Sequence, residues 1–200
     1  PFVEIKQPNI IFITTDEVEE KTVLKVTDYE LSFDEVLLKD VNFEIKSTDK
    51  VAIVGANGAG KTTLFQTIFN NNNSSIEINE NIKIGYLSQL QGQTLNYSNT
   101  IADEFFDIGF KTYDDIKEYL EGYNFDEELL NQKIGTLSGG EKNLIQLAKI
   151  SEVGADLLLL DEPTSHLDTY SQIALEKAIK NYKGAILMVS HDYYTIANCM

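Results

Sequence analysis

The sequence lacks several residue types and patterns, and each absence narrows the possible chemistry. All 16 basic side chains are lysines, so no arginine of this chain can stabilise a phosphate during its transfer. The single cysteine, Cys199, excludes an internal disulfide and fits a reducing compartment. No apolar run approaches the roughly 20 residues that span a bilayer, and no secretory signal is visible. We therefore expect a cytoplasmic protein with no direct membrane insertion.

Positive charge is also scarce. The chain has 32 acidic and 16 basic residues, which gives a net charge of −16 at pH 7. This balance does not suit a simple binder of nucleic acid or anionic membrane. It also repels anionic ligands, so a phosphate site must supply its own local positive field. Hydrophobic residues make up 42% of the chain, which is enough for one sizeable core.

A glycine-rich loop at residues 55–62 is the strongest local signal. It reads Gly-Ala-Asn-Gly-Ala-Gly-Lys-Thr and fits the phosphate-binding pattern G-x-x-x-x-G-K-[ST]. An apolar run typical of a buried strand precedes it and a segment with helical spacing follows, which is the context that this motif needs. Backbone N–H groups there would cradle a polyphosphate, with Lys61 on the β- and γ-phosphates and Thr62 on Mg²⁺. The predicted nucleotide-binding residues of this segment are Gly55, Asn57, Gly58, Ala59, Gly60, Lys61, Thr62 and Thr63.

A second apolar strand, 157–160, ends in the carboxylates Asp161 and Glu162. Strand ends are where α/β folds place ligand chemistry. Asp161 would hold Mg²⁺ through water, and Glu162 would polarise an attacking water. Taken alone, the pair could also be a solvated acidic turn. The phosphate loop upstream favours the metal-binding interpretation.

The segment Leu137–Glu141 reads Leu-Ser-Gly-Gly-Glu and begins a predicted helix. Ser138 suits the N-cap position. Gly139 and Gly140 would let backbone N–H groups approach an anion. A plain helix cap explains Ser-Gly-Gly alone, but its place shortly before the acidic strand end favours anion contact.

Strands alternate with helices along the chain, which predicts an α/β fold with a mainly parallel sheet. Residues 22–33 and 36–45 alternate as two strands on either side of a short turn. Residues 100–134 are acidic and helical, with Ile101, Phe105 and Ile108 predicted on one stripe. The helix that begins at Gly139 is predicted to place Leu144, Leu147, Ala148 and Ile150 on its apolar side.

These motifs occur in the order of an ABC-type ATPase cassette, and residues 22–198 resemble that family. The chain resembles its Walker A, Q-loop, signature, Walker B, D-loop and switch-histidine motifs at Gly55–Thr62, Gln89, Leu137–Glu141, Leu157–Glu162, Ser165–Asp168 and His191. The resemblance implies an α/β phosphate-loop NTPase of the ABC-cassette type. The expected fold has a mainly parallel sheet, an antiparallel β subdomain and a small α-helical insert at about 100–136.

In that family two cassettes face each other head to tail, and each ATP lies between the Walker motifs of one and the signature of the other. The resemblance implies that Gln89, Glu162 and His191 are catalytic and that Mg²⁺ is held by Thr62, Gln89 and Asp161. Ser138, Gly139 and Gly140 would contact ATP held by a partner cassette, and Asp168 would lie at the interface. Taken alone, Gln89 could be a solvated loop residue, and His191 a capping or surface histidine.

Two other residue types have competing interpretations. Phe33 matches the aromatic residue that stacks on adenine, but core packing explains it equally well, and Tyr29 is a weaker candidate for stacking. His166 has no metal partner in the sequence pattern, so we interpret it as structural.

Within the wider family, the motifs resemble those of ABC-F proteins most. Residues 84–89 resemble the ABC-F Q-loop strand. Residues 161–168 resemble D-E-P-T-N-H-L-D with Ser165 for the usual Asn, and residues 190–194 resemble S-H-D-R-x-F with Tyr193 where Arg is frequent. ABC-F proteins are cytosolic twin-cassette ATPases that bind the ribosome, and several protect it from antibiotics. The resemblance therefore implies a ribosome partner, as a translation factor or in antibiotic resistance.

The ends of the chain also resemble a part of an ABC-F protein. Residues 1–21 resemble the end of the interdomain linker, so we expect a linker remnant before an ATP-binding domain at 22–200. That domain would be a second cassette, truncated at its C-terminus. The acidity suggests the hypothesis that the RNA-contacting basic elements lie in the linker and in the partner cassette.

Two alternatives share the same motifs. The chain could be the ATP-binding subunit of an ABC membrane transporter and dock on a transmembrane partner through the groove near Gln89. It could also be a nucleotide-sensing clamp that does not turn over. A second cassette in the same chain would favour the ribosome factor. A permease gene next to this one would favour the transporter. A lack of phosphate release would favour the clamp.

Overall fold

A computed structural model describes residues 6–13, 19–32, 36–54 and 58–200. Seven strands and six α-helices lie within these residues. In chain order they are β1 Thr22–Ser32, β2 Val36–Lys46, β3 Lys50–Ile53, α1 Gly58–Asn70, β4 Ile76–Ile78, β5 Ile84–Leu87, α2 Ile101–Asp107, α3 Tyr113–Glu121, α4 Gly139–Val153, β6 Leu157–Asp161, α5 Thr169–Asn181, β7 Ala185–Val189 and α6 Tyr193–Cys199. Short 3₁₀ turns occupy Gln91–Gln93, Glu127–Asn131 and Ile134–Thr136.

A parallel sheet with strand order β3-β7-β6-β5 forms the centre of the described fold. Every residue of β6 and β7 is buried, because the two faces of a parallel sheet are both covered. Asp161 at the end of β6 pairs in register with Val189 at the end of β7. The carboxyl ends of these strands therefore bring residues 161–162 and 190–191 to one edge of the sheet.

A second, antiparallel sheet has the strand order β2-β1-β4. This confirms the expected combination of a parallel sheet with an antiparallel one. Strand β1 buries Val23, Leu24, Val26 and Tyr29 in the core beside α1. Tyr29 is only 2% exposed, so its ring is not available to a nucleotide base, and the suggestion that it stacks on adenine was wrong.

Helices α2 and α3 make up much of the segment between β5 and α4. The Tyr119 hydroxyl donates to the Ala148 carbonyl over 2.6 Å, and the Tyr123 hydroxyl lies 2.8 Å from Ser151 Oγ. Both contacts attach this segment to α4. Burial raises the pKa of Tyr119, so its hydroxyl remains a donor. Ile108, predicted on the buried stripe, is 39% exposed because α2 ends at Asp107.

Helix α4 is buried on more than one face, which differs from the predicted single apolar side. Ile145 is completely buried, whereas Leu144 is only partly buried at the edge of the core. The helix packs against β5 on one side and contacts the α3 segment through Tyr119 on another. A helix enclosed in this way does not follow one apolar stripe.

Residues 6–13 alternate between exposed and buried positions. Ile10 and Phe12 are buried, and Ile11 is 60% exposed. The Asn9 N–H donates to the Gly122 carbonyl over 2.6 Å, and the Phe12 ring meets Tyr182 edge-on at 6.0 Å. No helix in the described ranges is long and apolar enough to cross a membrane.

Candidate nucleotide-binding site

Three elements meet at a group of oxygen atoms around a buried pair, Thr62 and Asp161. Lys61 and Thr62 lie at the beginning of α1, and each is 7% exposed. Thr62 Oγ1 donates to Asp161 Oδ2 at the end of β6 over 2.7 Å. Gln89, in the loop after β5, places its Oε1 3.5 Å from the same hydroxyl. The structure thus joins all three residues that the sequence predicts as metal ligands.

The Asp161 carboxylate is in an unfavourable environment for a negative charge. It is 2% exposed, and its Oδ1 has no hydrogen-bond partner among the described residues. Burial raises the pKa of Asp161 to about 6, although hydrogen bonds from Thr62 and the Gln89 backbone act in the opposite direction. A buried carboxylate with a free oxygen fits a bound cation.

The donors at this point suit magnesium. They are a carboxylate from Asp161, a hydroxyl from Thr62 and an amide oxygen from Gln89, and Mg²⁺ prefers oxygen ligands of this kind. Mg²⁺ also keeps several waters and binds through few protein groups, usually together with substrate phosphates. The residues present therefore fit Mg²⁺.

Glu162 follows Asp161 directly but has different surroundings. Its backbone has a φ of +50°, which is uncommon for a residue other than glycine. Its N–H donates to the Val189 carbonyl over 2.8 Å. Its carboxylate contacts His191 Nδ1 and accepts from the His191 backbone N–H over 3.3 Å. The structure therefore joins two predicted catalytic residues, Glu162 and His191, at the edge of the sheet.

The Ser-Gly-Gly segment begins α4 as predicted. Ser138 Oγ accepts from the Glu141 N–H over 3.1 Å, and Glu141 Oε1 accepts from the Ser138 N–H over 2.9 Å, which forms a capping box. A Cβ on Gly140 would lie 2.6 Å from the His166 carbonyl oxygen. Glycine is therefore required there by the close approach of the backbone at His166, which has a φ of +64°.

The signature residues belong to a separate cluster. Among the described residues, no hydrogen bond joins Ser138, Gly139 or Gly140 to the Thr62–Asp161 pair. Asp168 caps α5, where its carboxylate accepts from the Ser171 N–H over 2.8 Å. The remaining predicted residues can be located only in part. Phe33, Gly55 and Asn57 lie outside the described residues; Gly58 and Ala59 are the first residues of α1, and Gly60 and Thr63 lie in its first two turns.

Comparison with known proteins identifies the family of the chain. The family model for ABC transporters matches residues 38–165 of the 200. The chain belongs to the ABC transporter family. It carries the ATP-binding cassette of that family, so it is an ABC-type ATPase domain.

Two relatives bear on the role of the full protein: one is named as an ABC transporter F family member, and the other is named for an action on translation. The cassette is 36% identical over 182 residues to ABC transporter F family member 5 of Arabidopsis thaliana, which covers 88% of this chain and 26% of that protein. It is 34% identical over 180 residues to the energy-dependent translational throttle protein EttA of Escherichia coli strain K12, which covers 85% of this chain and 32% of that protein. The chain thus spans about a quarter to a third of the relatives that it matches.

Solved structures show the same fold. A dimeric bacterial ABC transporter cassette superimposes with a TM-score of 0.70 at 21% identity, covering 88% of this chain and 91% of that one. The same cassette in a post-hydrolysis state bound to ADP and Pi gives a TM-score of 0.68 at 21% identity with the same coverage. At this identity the likeness shows the fold alone.

Sequence reasoning missed several residues that shape the cassette's site. Asn143 and Gln146 are buried polar side chains of α4 that bond to the loop containing Gln89. Glu104 is also buried and forms an ion pair with Lys149. A signal existed for the first pair, because two amides three residues apart interrupt an otherwise apolar helix segment.

Proposed function

We propose that the cassette binds ATP and hydrolyses it with Mg²⁺ at a composite site formed with a second cassette. The observation that carries this proposal is the buried Asp161 carboxylate, whose Oδ1 has no partner among the described residues, beside the Thr62 hydroxyl and the Gln89 amide oxygen. These three groups would hold Mg²⁺, which neutralises charge on the β- and γ-phosphates.

The chain's own residues would position the phosphates and the attacking water and would neutralise negative charge. Lys61 and the first N–H groups of α1 would hold the phosphates, because a helix start favours anions. Glu162 would orient and polarise the attacking water, and His191 would hold its carboxylate in place. With no arginine in the chain, Lys61, Mg²⁺ and amides from the partner must stabilise the transferred phosphate. Phosphate contacts by Gly55 and Asn57 and adenine stacking by Phe33 stay predictions.

The signature would serve the nucleotide of the partner. Ser138, Gly139 and Gly140 lie in their own cluster with His166, apart from the Thr62–Asp161 pair. This separation supports a site in which the helix start of α4 meets ATP held by the other cassette. ATP would then join the two cassettes, and hydrolysis would remove the contact that holds them together.

We propose further that the cassette is part of a cytosolic ABC-F protein that acts on the ribosome, in translation or in protection from antibiotics. Similarity to ABC transporter F family member 5 and to a translational throttle protein supports this role. In this proposal residues 1–21 end the interdomain linker and residues 22–200 form the second cassette. Because the net charge of the chain is −16, we propose that the basic elements that contact RNA lie in the linker and in the partner cassette.

A turnover measurement tests the ATPase proposal. Phosphate release is measured with the second cassette present, with and without Mg²⁺, for the unchanged protein, Glu162→Gln and Glu118→Gln. Glu118 is exposed on α3, so its variant makes the same charge change away from the site. We expect Glu162→Gln to lower kcat by about 10²–10⁴-fold and Glu118→Gln to have no effect. Equal turnover in all three would remove Glu162 from catalysis.

A sedimentation experiment tests the ribosome role. The full protein with Glu162→Gln should remain on ribosomes in the presence of ATP, because the paired state persists without hydrolysis. Association with a membrane-spanning partner instead would support the transporter alternative. The 200-residue chain alone should bind ribosomes weakly at low salt, and tight binding by it would refute the explanation given for its acidity.

A further inference from the structure

Two buried amide side chains of α4 are not among the proposed ligands of the nucleotide or the metal. Asn143 is 5% exposed and Gln146 is 1% exposed. They lie three residues apart, on one face of the helix that the signature begins. The Gln146 Nε2 donates to Asn143 Oδ1 over 3.1 Å, so the two side chains form one hydrogen-bonded unit.

Gln146 holds the residue that precedes Gln89. Its Oε1 accepts from the Ser88 backbone N–H over 3.1 Å, and its Nε2 donates to the Ser88 carbonyl over 3.3 Å. The Thr94 hydroxyl also donates to Gln146 Oε1. One amide therefore fixes both backbone groups of Ser88 and the far end of the same loop. The position of the Gln89 side chain, 3.5 Å from Thr62 Oγ1, depends on that backbone.

Asn143 bonds to the same loop and also to a second one. Its Nδ2 donates to the Ser165 carbonyl over 2.6 Å, in the loop between β6 and α5 that leads to Asp168. Its Oδ1 accepts from Gln91 Nε2 over 2.7 Å, and the same Gln91 group lies 2.8 Å from the Gly139 carbonyl. Asn143 therefore connects the loop at 165 and the signature glycines with the loop that carries Gln89.

These contacts join parts that serve different nucleotides in the proposed composite site. Under the proposed function Gln89 would serve the ATP held by this cassette, whereas Gly139 would contact the ATP held by the partner. The loop at 165 leads to Asp168, which is predicted at the interface. We propose that Gln146 and Asn143 are positioning residues, Gln146 for the magnesium side through Ser88 and Asn143 for the partner side through Ser165. The pair links the two sites of a composite dimer through one buried network, and this inference rests on the proposed function.

The two buried amides hold one arrangement because their polar groups are hydrogen-bonded. A buried polar network whose members are all bonded holds a single arrangement, because an amide left without a partner is costly. A shift of the loop at 88–94 therefore breaks its bonds to Gln146 and Asn143 unless both side chains move with it. Movement of the loop at 88–94 would then be coupled to movement of the loop at 165.

Two substitutions separate the two halves of the network. Gln146→Met keeps a similar shape but removes every hydrogen bond to Ser88 and Thr94. Asn143→Asp keeps the acceptor for Gln91 and Gln146 but replaces the donor to the Ser165 carbonyl with a second acceptor. Tyr123→Phe is the matched control, because it removes one buried hydroxyl bond from the same helix at Ser151.

The readouts are Mg²⁺-dependent binding of a fluorescent ATP analogue, kcat and KM of the paired protein, and the melting temperature. We expect Gln146→Met to raise the Mg²⁺ concentration for half-maximal binding about tenfold, as loss of a second-layer partner does at metal sites. Asn143→Asp should leave that concentration within about twofold and lower kcat about tenfold at unchanged KM. Tyr123→Phe should lower the melting temperature and change neither functional readout.

The outcomes distinguish this inference from the proposed function. If the unchanged protein binds the analogue with Mg²⁺ but Gln146→Met and Asn143→Asp lower only the melting temperature, as the control does, the pair is structural and the inference is overturned. If the unchanged protein shows no Mg²⁺-dependent binding, both the proposed function and the inference are refuted.

Discussion

Replacing Asp161 with asparagine tests whether this carboxylate serves a cation at the expense of the fold. One of its oxygens accepts from Thr62, and the other has no partner among the described residues. Burial raises its pKa from 3.8 to about 6. We expect the Asp161→Asn variant to be more stable than the unchanged protein at pH 7 without metal, and to lose Mg²⁺-dependent nucleotide binding.

The magnitude follows from the pKa shift. About two units at about 1.36 kcal/mol each give at most about 3 kcal/mol of destabilisation by the charged form at pH 7. The asparagine leaves a buried N–H without a partner, which costs about 1–2 kcal/mol. The net gain in the free energy of unfolding is therefore about 1–2 kcal/mol at pH 7.

The pH dependence has a definite sign. The folded-state pKa lies above the unfolded value, so the folded state binds the proton more tightly. The cost of the charge is present above about pH 6 and disappears as the pH falls towards 3.8. The advantage of Asp161→Asn should therefore decrease between pH 7 and pH 5.

Urea unfolding with a chelator at both pH values measures this difference, and the same experiment with Mg²⁺ and ATP should reverse it. Glu118→Gln controls for the loss of one negative charge, since that side chain is exposed. A metal-free Asp161→Asn variant that is less stable than the unchanged protein at pH 7 would refute the reasoning. That result would mean that the charged carboxylate stabilises the fold in the absence of a cation.

Four further substitutions test local geometry through urea unfolding. Gly140→Ala should cost about 1–3 kcal/mol, because the new Cβ meets the His166 carbonyl at 2.6 Å; a neutral result would mean that this backbone moves freely. Ser138→Ala should cost about 1 kcal/mol through loss of the N-cap, and no loss would show that the cap is not formed in solution. Glu104→Gln should cost about 2–3 kcal/mol, because the ion pair of Glu104 with Lys149 is almost completely buried. Glu127→Gln breaks the exposed ion pair with Lys117 and should cost less than about 1 kcal/mol. Similar losses in the last two would contradict the burial argument.

Much of the site could be predicted because it depends on local patterns. The apolar run before Asp161 predicted a buried strand with a carboxylate at its end, and the structure has β6 there. The Ser-Gly-Gly segment predicted a capped helix start, and Ser138 caps α4. Residues whose role is set by the next few residues along the chain can be interpreted from sequence.

Other features depend on packing between distant segments and could not be predicted. Gln146 lies 58 residues from Ser88 in the chain, and only the fold brings them together. The burial of Asn143 and Ile145, with Leu144 only partly buried, likewise follows from the elements around α4. Helical periodicity predicts one apolar face, and it fails where a helix is enclosed on several sides.

The different surroundings of Asp161 and Glu162 explain how two adjacent carboxylates can have two roles. Successive residues of a strand point to opposite faces, so Asp161 turns towards Thr62 and the buried oxygen cluster. The positive φ of Glu162 bends the chain at that point while its N–H stays bonded to Val189, and its side chain meets His191. One carboxylate is thereby buried, and one of its oxygens has no partner among the residues that the structure describes. The other carboxylate is held by an exposed histidine. Environments that differ in this way suit one carboxylate to a metal and the other to water.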